Sequence, residues 1–340
     1  MKSIRINAPG GIDVLQTEEA AIPEPKPNQV LVRIKAASLN HLDIWVRKGL
    51  PFSPYPLTPG SDCAGVVEST VSQVSNFKKG DRVFISPGFS CGTCRFCLAG
   101  NDNLCKDYHI FGESADGFNS EFVAVDEHLV FPLPDSVSFS ESAASTLVFL
   151  TAWQMVVDKG QIKSGDTVFV WGGSSGVGSA AIQIARYFGA EVITAASSSE
   201  KLAVAEKCGA STLLNYQTDD IVREVKAKTG KRGVDLVVEH TGAETLSRSV
   251  QMTAKGGKIV TCGATTGWDA KIDLRHIFFR QISLIGSTMG SRNHLVPIMK
   301  LIANGKMKPV IDREISMWEI QKGHDLIESG KTLGKIVLIP

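Results

Sequence analysis

A chain of 340 residues with 43% hydrophobic and 21% charged residues holds enough apolar side chains for about two packed domains, which excludes a disordered or fibrous protein. Lys and Arg total 36 against 35 Asp and Glu, interspersed along the chain, so the net charge of +1 forms no basic stripe and argues against nucleic acid as a partner. The longest apolar runs fall far short of the ~20 residues a membrane span needs, and the N-terminal stretch lacks the apolar core of a signal peptide, so a cytoplasmic protein without a membrane partner is expected.

Residues 1 to about 130 alternate short β-rich runs, at 30–35, 64–67, 81–85 and 122–125, with Pro- and Gly-rich turns, the texture of a partly β, loop-rich domain. Within it Cys91, Cys94, Cys97 and Cys105 crowd one loop at 88–106, while the other three of the seven cysteines stand alone. In a reducing compartment such clustering points to metal rather than disulfides. Four thiolates close a tetrahedral shell and leave no position for water or substrate, so one structural Zn2+ per chain is expected, with an iron–sulfur cluster or free thiols as alternatives.

From Thr167 the pattern changes to apolar runs separated by helical stretches, at 167–171, 191–195, 212–214, 235–239, 258–261 and 282–285, which predicts an α/β fold with a doubly wound parallel six-stranded sheet. The first run leads into Gly172-Gly-Ser-Ser-Gly-Val-Gly178 and then a helical pattern. Gly173, Ser174, Ser175, Gly176, Val177 and Gly178 are therefore expected to cradle a dinucleotide pyrophosphate at a helix N-terminus, although Ser175 occupies the usual middle glycine and such turns also cap purely structural units. After the second run stand Ser197, Ser198 and Lys201 rather than a carboxylate, which suits the 2′-phosphate of NADPH; Glu200 is the competing ribose ligand but falls in the first turn of the next helix. The tail adds helical stretches at 294–303 and 319–329 and a strand at 335–338, too short to fold alone. The expected division is 1–130 as a catalytic domain, 131–288 as a cofactor domain and 289–340 as a return to the first. The run at 282–285, placed at a sheet edge, is the expected seam of a homodimer or homotetramer.

The cysteine loop, the cofactor-domain pattern and the segment Pro59-Gly-Ser-Asp-Cys-Ala-Gly-Val-Val67 together resemble the medium-chain dehydrogenase/reductase superfamily over essentially the whole chain. The resemblance implies a Rossmann domain joined to a GroES-like, partly β catalytic domain. In the zinc alcohol dehydrogenases of that superfamily a catalytic zinc is held by Cys, His and Cys, and the matching positions here are Asn40, Ser61 and about Leu147, which cannot make that site. Asn40-x-x-Asp43 and Gly60-x-Asp-x-Ala-Gly65 are instead similar to the zinc-independent quinone and enoyl-thioester reductases, where Ser198, Lys201 and Tyr216 match residues that hold the 2′-phosphate.

Residues 238–242, Lys255-Gly-Gly257, Thr261-Cys262, Thr266-Gly267 and Ile285-Gly-Ser287 further resemble the crotonyl-CoA carboxylase/reductases, whose site-lining Asn and Glu match Asn40 and Glu113, with Thr288 at the place of the carboxylating His. The resemblance implies NADPH-dependent reduction of an activated C=C bond in a small-molecule substrate, such as acrylyl-CoA or crotonyl-CoA, without carboxylation. Hydride addition to the β-carbon builds an enolate, so hydrogen-bond donors must do the work of a metal. Asn40 is expected to donate and Glu113 to orient water or relay a proton. The plainer readings are an Asn that satisfies backbone groups and a solvated loop Glu. A quinone or enone reductase, a zinc-type alcohol dehydrogenase and a non-catalytic NADPH-binding protein remain as alternatives. His41 and His109 are expected near the cleft, and Tyr187-Phe188 and Phe278-Phe279 in core or interface packing.

Overall fold

A computed structural model describes residues 1–340, which divide into two compact units, Met1–Leu147 with Ser291–Pro340 and Val148–Gly290. The first unit is built on strand Gln29–Ser38, whose Val30, Leu31, Val32, Ile34, Ala36 and Ala37 are buried while Arg33 and Lys35 face solvent. That alternation selects a strand with one face on a core. Its sheet runs in the order Ile311–Ser316, Lys335–Ile339, Gln29–Ser38, Asp62–Thr70, Arg82–Ile85 and Val130–Pro132, and strand Phe122–Asp126 also pairs with Gln29–Ser38. Ile4, Ile6, Val32, Val67, Ile85, Phe118 and Leu338 share the core.

Two local features of this unit position the residues around Asn40. Strand Lys335–Ile339 lies antiparallel to the end of Gln29–Ser38, with Val337 opposite Ser38, so the C-terminal strand begins beside residue 40. Its Ile336, Val337 and Leu338 are fully buried, each contributing on the order of 1.5–3 kcal/mol, which holds that register. Helix His41–Lys48 then starts at Asn40, whose extended backbone is an N-cap, and ends at Gly49, whose φ of +108° only glycine adopts at little cost. Residues 131–147 group with this unit, not with the cofactor domain. Strand Val130–Pro132 pairs with Arg82–Ile85, and Ala143 and Ala144 pack on Ala36 and Val337.

The second unit is a six-stranded parallel sheet in the order Thr212–Asn215, Glu191–Ala196, Thr167–Trp171, Val234–Glu239, Thr253–Thr261 and Ser283–Gly286. Chain order reverses at Thr167–Trp171, the switch point at which doubly wound sheets bind ligands. Strand Thr167–Trp171 is wholly buried, as its unbroken apolar run requires in a parallel sheet. The fifth strand begins at Thr253, earlier than its apolar run suggests, with a register irregularity opposite residues 234–236. The sixth is not a buried strand: it closes the sheet edge, and Leu284 is 43% exposed. Phe278 and Phe279 are 59% and 70% exposed, which rules out core packing for this pair, whereas Phe188 packs edge-on against Trp153. No helix in either unit is long and apolar enough to cross a membrane.

Candidate functional site

In the first unit Asn40 sits at the centre of a buried polar network. Its Nδ2 donates to Asp62 Oδ2 at 2.8 Å, its Oδ1 accepts from Lys335 Nζ, and its backbone N–H donates to Asp43 Oδ2 at 2.7 Å. Asp62 also accepts from Ser38 Oγ at 3.1 Å, Lys335 Nζ at 3.2 Å and the backbone N–H of Leu147 at 2.8 Å. Asp62 is thus a fully buried carboxylate with four donors, and Lys335, 4% exposed, neutralises it. The positions of Asn40, Ser61 and Leu147 meet around this one side chain. Ser61 is buried beside it with its Oγ unpartnered.

Asp43 is also fully buried and its carboxyl is raised to about 6, because desolvation outweighs the Asn40 and Gly60 N–H bonds and the charge of Lys335. Its Oδ1 accepts from Gly60 N at 3.1 Å, and Gly60 is where the loop carrying Glu113 docks. Phe118 N donates to Gly60 O at 2.9 Å, and a Cβ on Gly112 would lie 2.5 Å from Gly60 N, so that glycine must stay bare for the loop to close. Segment 59–62 is therefore contacted both by Asp43, beside Asn40, and by the loop that carries Glu113. Burial raises the Glu113 carboxyl above its ordinary range. Tyr108 is raised too, chiefly by desolvation, with Asp102 and Glu113 adding to it. His109 is exposed and stacks on Phe89.

The four clustered cysteines converge: all four Sγ atoms lie within 4.8 Å of one another, with separations of 3.4 Å for Cys91–Cys105, 3.6 Å for Cys94–Cys97 and 3.9 Å for Cys91–Cys97. Thiolates on a tetrahedral zinc stand about 3.8 Å apart, the edge set by a ~2.3 Å Zn–S bond. This donor set fits such an ion, and the backbone N–H groups of Thr93 and Cys94 draw the Cys91 thiol down to about 6, toward the ligating form. The loop also anchors the returning chain, with Ser291 Oγ donating to Gly100 O and Arg292 N to Asp102 Oδ1.

In the second unit the turn after Thr167–Trp171 opens helix Gly176–Tyr187. Ser175, at the usual glycine position, is its N-cap and accepts from Gly178 N at 3.0 Å. A Cβ on Gly178 would lie 2.2 Å from Gly172 O, and one on Gly173 2.3 Å from Thr194 Oγ1, so both glycines are required for closure. The helix N-terminus leaves free N–H groups facing the turn, the chemistry a pyrophosphate needs. Beyond strand Glu191–Ala196, Ser198 caps helix Ser199–Lys207, Lys201 Nζ donates to Ser197 Oγ at 3.1 Å, and Tyr216 N donates to Ala196 O at 3.1 Å. Ser197, Ser198, Lys201 and Tyr216 therefore gather at two adjacent strand ends. Glu200 lies in the first helical turn, held below its ordinary range chiefly by the Ser198 hydroxyl.

Residues 26–135 match the family described as the alcohol dehydrogenase GroES-like domain, and residues 176–304 the zinc-binding dehydrogenase family. The quinone oxidoreductase of Mus musculus is 31% identical over 100% of this chain and 98% of its own length. The chain belongs to the medium-chain dehydrogenase/reductase superfamily. A solved structure described as an NAD-dependent alcohol dehydrogenase is 45% identical and superposes with a TM-score of 0.97 over 100% of both chains. A variant of the crotonyl-CoA carboxylase/reductase AntE in complex with NADP is 26% identical, with a TM-score of 0.91 over 99% of this chain and 94% of that one. These relatives place this superfamily member, an oxidoreductase, with the quinone reductase and crotonyl-CoA reductase branch.

A second metal does not fit around Asn40: the amide oxygen is taken by an ammonium, Ser61 and Leu147 offer no Cys, His or carboxylate donor, and Lys335 would repel a cation beside Asp62. Sequence reasoning missed Lys335, whose partners lie 295 and 273 residues away. It also gave no role to Glu239, a fully buried carboxylate that accepts from Thr241 N, Gly242 N, Thr245 Oγ1 and Ser249 Oγ at 2.7–3.1 Å. Glu239 closes the turn after the fourth strand of the cofactor sheet. A carboxylate at a predicted strand end, followed within three residues by Thr-Gly, was the available signal.

Proposed function

We propose that this oxidoreductase uses NADPH to reduce an activated C=C bond, with a short enoyl-CoA such as acrylyl-CoA or crotonyl-CoA as substrate. The observation that carries the reading is the Asp62–Lys335 pair, which fixes Asn40 as a hydrogen-bond donor where a metal would otherwise polarise a carbonyl. Gly173, Ser174, Ser175, Gly176, Val177 and Gly178 would hold the pyrophosphate of NADPH, and Ser197, Ser198, Lys201 and Tyr216 its 2′-phosphate. When bound, that cofactor supplies the hydride.

The remaining work falls to the first unit. Asn40 Nδ2 has two hydrogens, one spent on Asp62; the other is directed to the thioester oxygen, where charge accumulates as the enolate forms. Glu113, whose raised carboxyl holds its proton more readily than an ordinary glutamate, orients water or relays a proton to the α-carbon. Thr288, where a carboxylating His would stand, leaves that enolate to protonation. Cys91, Cys94, Cys97 and Cys105 would hold one structural zinc, which cross-links the loop and does no chemistry on substrate. The protein acts in the cytoplasm as a homodimer or homotetramer through the exposed edge strand Ser283–Gly286.

A second reading, an NAD-dependent alcohol dehydrogenase, is favoured by the 45% identical structure of that description. A substrate panel separates the two. Consumption of NADPH by acrylyl-CoA or crotonyl-CoA without added zinc, with the saturated acyl-CoA formed and no carboxylated product from bicarbonate, supports the proposal. Alcohol oxidation with NAD and no enoyl-CoA turnover overturns it, while turnover of quinones alone moves the substrate to the sister branch and leaves hydride transfer standing.

A further inference from the structure

We infer that Lys335 is a positioning residue that takes the electrostatic place of a metal in this chain, polarising the Asn40 carboxamide from behind and opposing the charge of Asp62, so that Asn40 Nδ2 meets the enolate oxygen against a weaker negative field. The inference rests on the reading of Asn40 as enolate donor. Three features of the structure carry it. An amide side chain can ordinarily be turned either way, but here its orientation is chemically determined: Lys335 offers only donors and Asp62 only acceptors, so Oδ1 faces the ammonium and Nδ2 the carboxylate. A carbonyl oxygen that accepts from a cation withdraws density from its own nitrogen, and hydrogen bonds linked in such a chain strengthen one another. The Nδ2 hydrogen left for substrate is a better donor than that of an isolated amide.

Charge supplies the second half of the argument. Asn40 is flanked by two buried carboxylates, Asp62 at 2.8 Å from Nδ2 and Asp43 at 2.7 Å from the backbone nitrogen. Alone they would repel an enolate forming on the free Nδ2 hydrogen. Lys335, buried in the same cluster and bonded to Asp62 at 3.2 Å, opposes that field where low local polarity leaves it poorly screened. The buried ammonium divides its donors between Asp62 and the Asn40 carboxamide. Strand pairing of Val337 with Ser38 delivers it there.

The test compares Lys335→Met, Lys335→Arg and the charge-neutral double variant Lys335→Met/Asp62→Asn, with crotonyl-CoA and NADPH, each alongside its melting temperature. Lys335→Met is expected to lower kcat about 10- to 100-fold, less than loss of a direct donor, with KM changed by less than about threefold. Lys335→Arg restores part of kcat. The double variant removes the unpaired buried carboxylate and so keeps the protein folded even where the single variant fails. Its kcat recovers only in part if the ammonium acts on the reaction, because Asp62 no longer needs opposing while the Asn40 carboxamide is left unpolarised; if kcat returns fully to the wild-type value along with stability, Lys335 is structural and the inference is overturned. Wild-type kcat in Lys335→Met overturns it equally. Asn40→Ala separates the two layers: a low kcat there with wild-type turnover in Lys335→Met refutes this inference alone, whereas wild-type kcat in Asn40→Ala refutes the role of Asn40 in the proposed function.

Discussion

Replacing Lys201 by Ala tests the cofactor choice at one side chain. Lys201 Nζ lies 3.1 Å from Ser197 Oγ, at the strand end where Ser198 and Tyr216 also gather. A charge-assisted hydrogen bond to a phosphate contributes roughly 1.5–3 kcal/mol, and ~1.4 kcal/mol is a factor of ten. Removing it should lower NADPH efficiency by about 10- to 150-fold, toward the lower end because Lys201 is half-buried and partly screened. NADH carries no 2′-phosphate, so its efficiency should change little. The assay is kcat/KM for both cofactors at fixed substrate, repeated at rising salt, which should narrow the NADPH preference in the unmodified enzyme and much less in the variant. Equal efficiency with both cofactors before mutation, or a preference unchanged by Lys201→Ala, would refute the reasoning and return Glu200 as the residue that reads the ribose.

Asn40→Ala should lower kcat on crotonyl-CoA by about 10²–10³ with a smaller effect on KM, and Glu113→Gln should be milder, as steady-state kinetics would register. Elemental analysis should find about one zinc per chain, and Cys94→Ser should lower the melting temperature by several degrees and release that zinc, because the ion is coupled to loop folding; two tightly held zincs with one needed for turnover would contradict the site. Gly178→Ala should weaken NADPH binding by calorimetry while leaving the first unit folded, since its Cβ would meet Gly172 O at 2.2 Å. His324, held down to about 3 by burial and then by the charge of Arg47, is neutral when folded and takes up a proton on unfolding below its ordinary 6.5. Its contribution to stability is complete above about pH 6.5 and is lost as pH falls toward 3, so urea midpoints should decline across that window and decline less in His324→Asn.

What could be read from residues alone was local. The glycine turn at 172–178, the cysteine loop at 91–105 and the run of parallel strands are each specified by neighbours within one or two elements. Glycine closure, thiolate spacing and β-rich runs are properties of short segments. The same holds for Ser197, Ser198 and Lys201, which one cap and one helical turn bring together.

Other features depended on distant chain. Ser175 reads as a flaw in the glycine pattern until the helix shows it to be the N-cap. The apolar run at 282–285 shows a strand but not how exposed it is, because hydrophobicity is the same at an edge as at a centre; sheet order leaves Leu284 43% exposed. Most of all, a lysine that closes a terminal Thr-Leu-Gly-Lys run carries no sign of its role. Lys335 meets Asn40 and Asp62 only because Ile336, Val337 and Leu338 bury into the first unit's core and lock the register of the last strand against Gln29–Ser38. Composition and spacing determined the fold class and the places of the glycine turn and the cysteine loop. The charge set around Asn40 was decided by tertiary packing, because a buried ion pair needs partners that the chain supplies from its two ends.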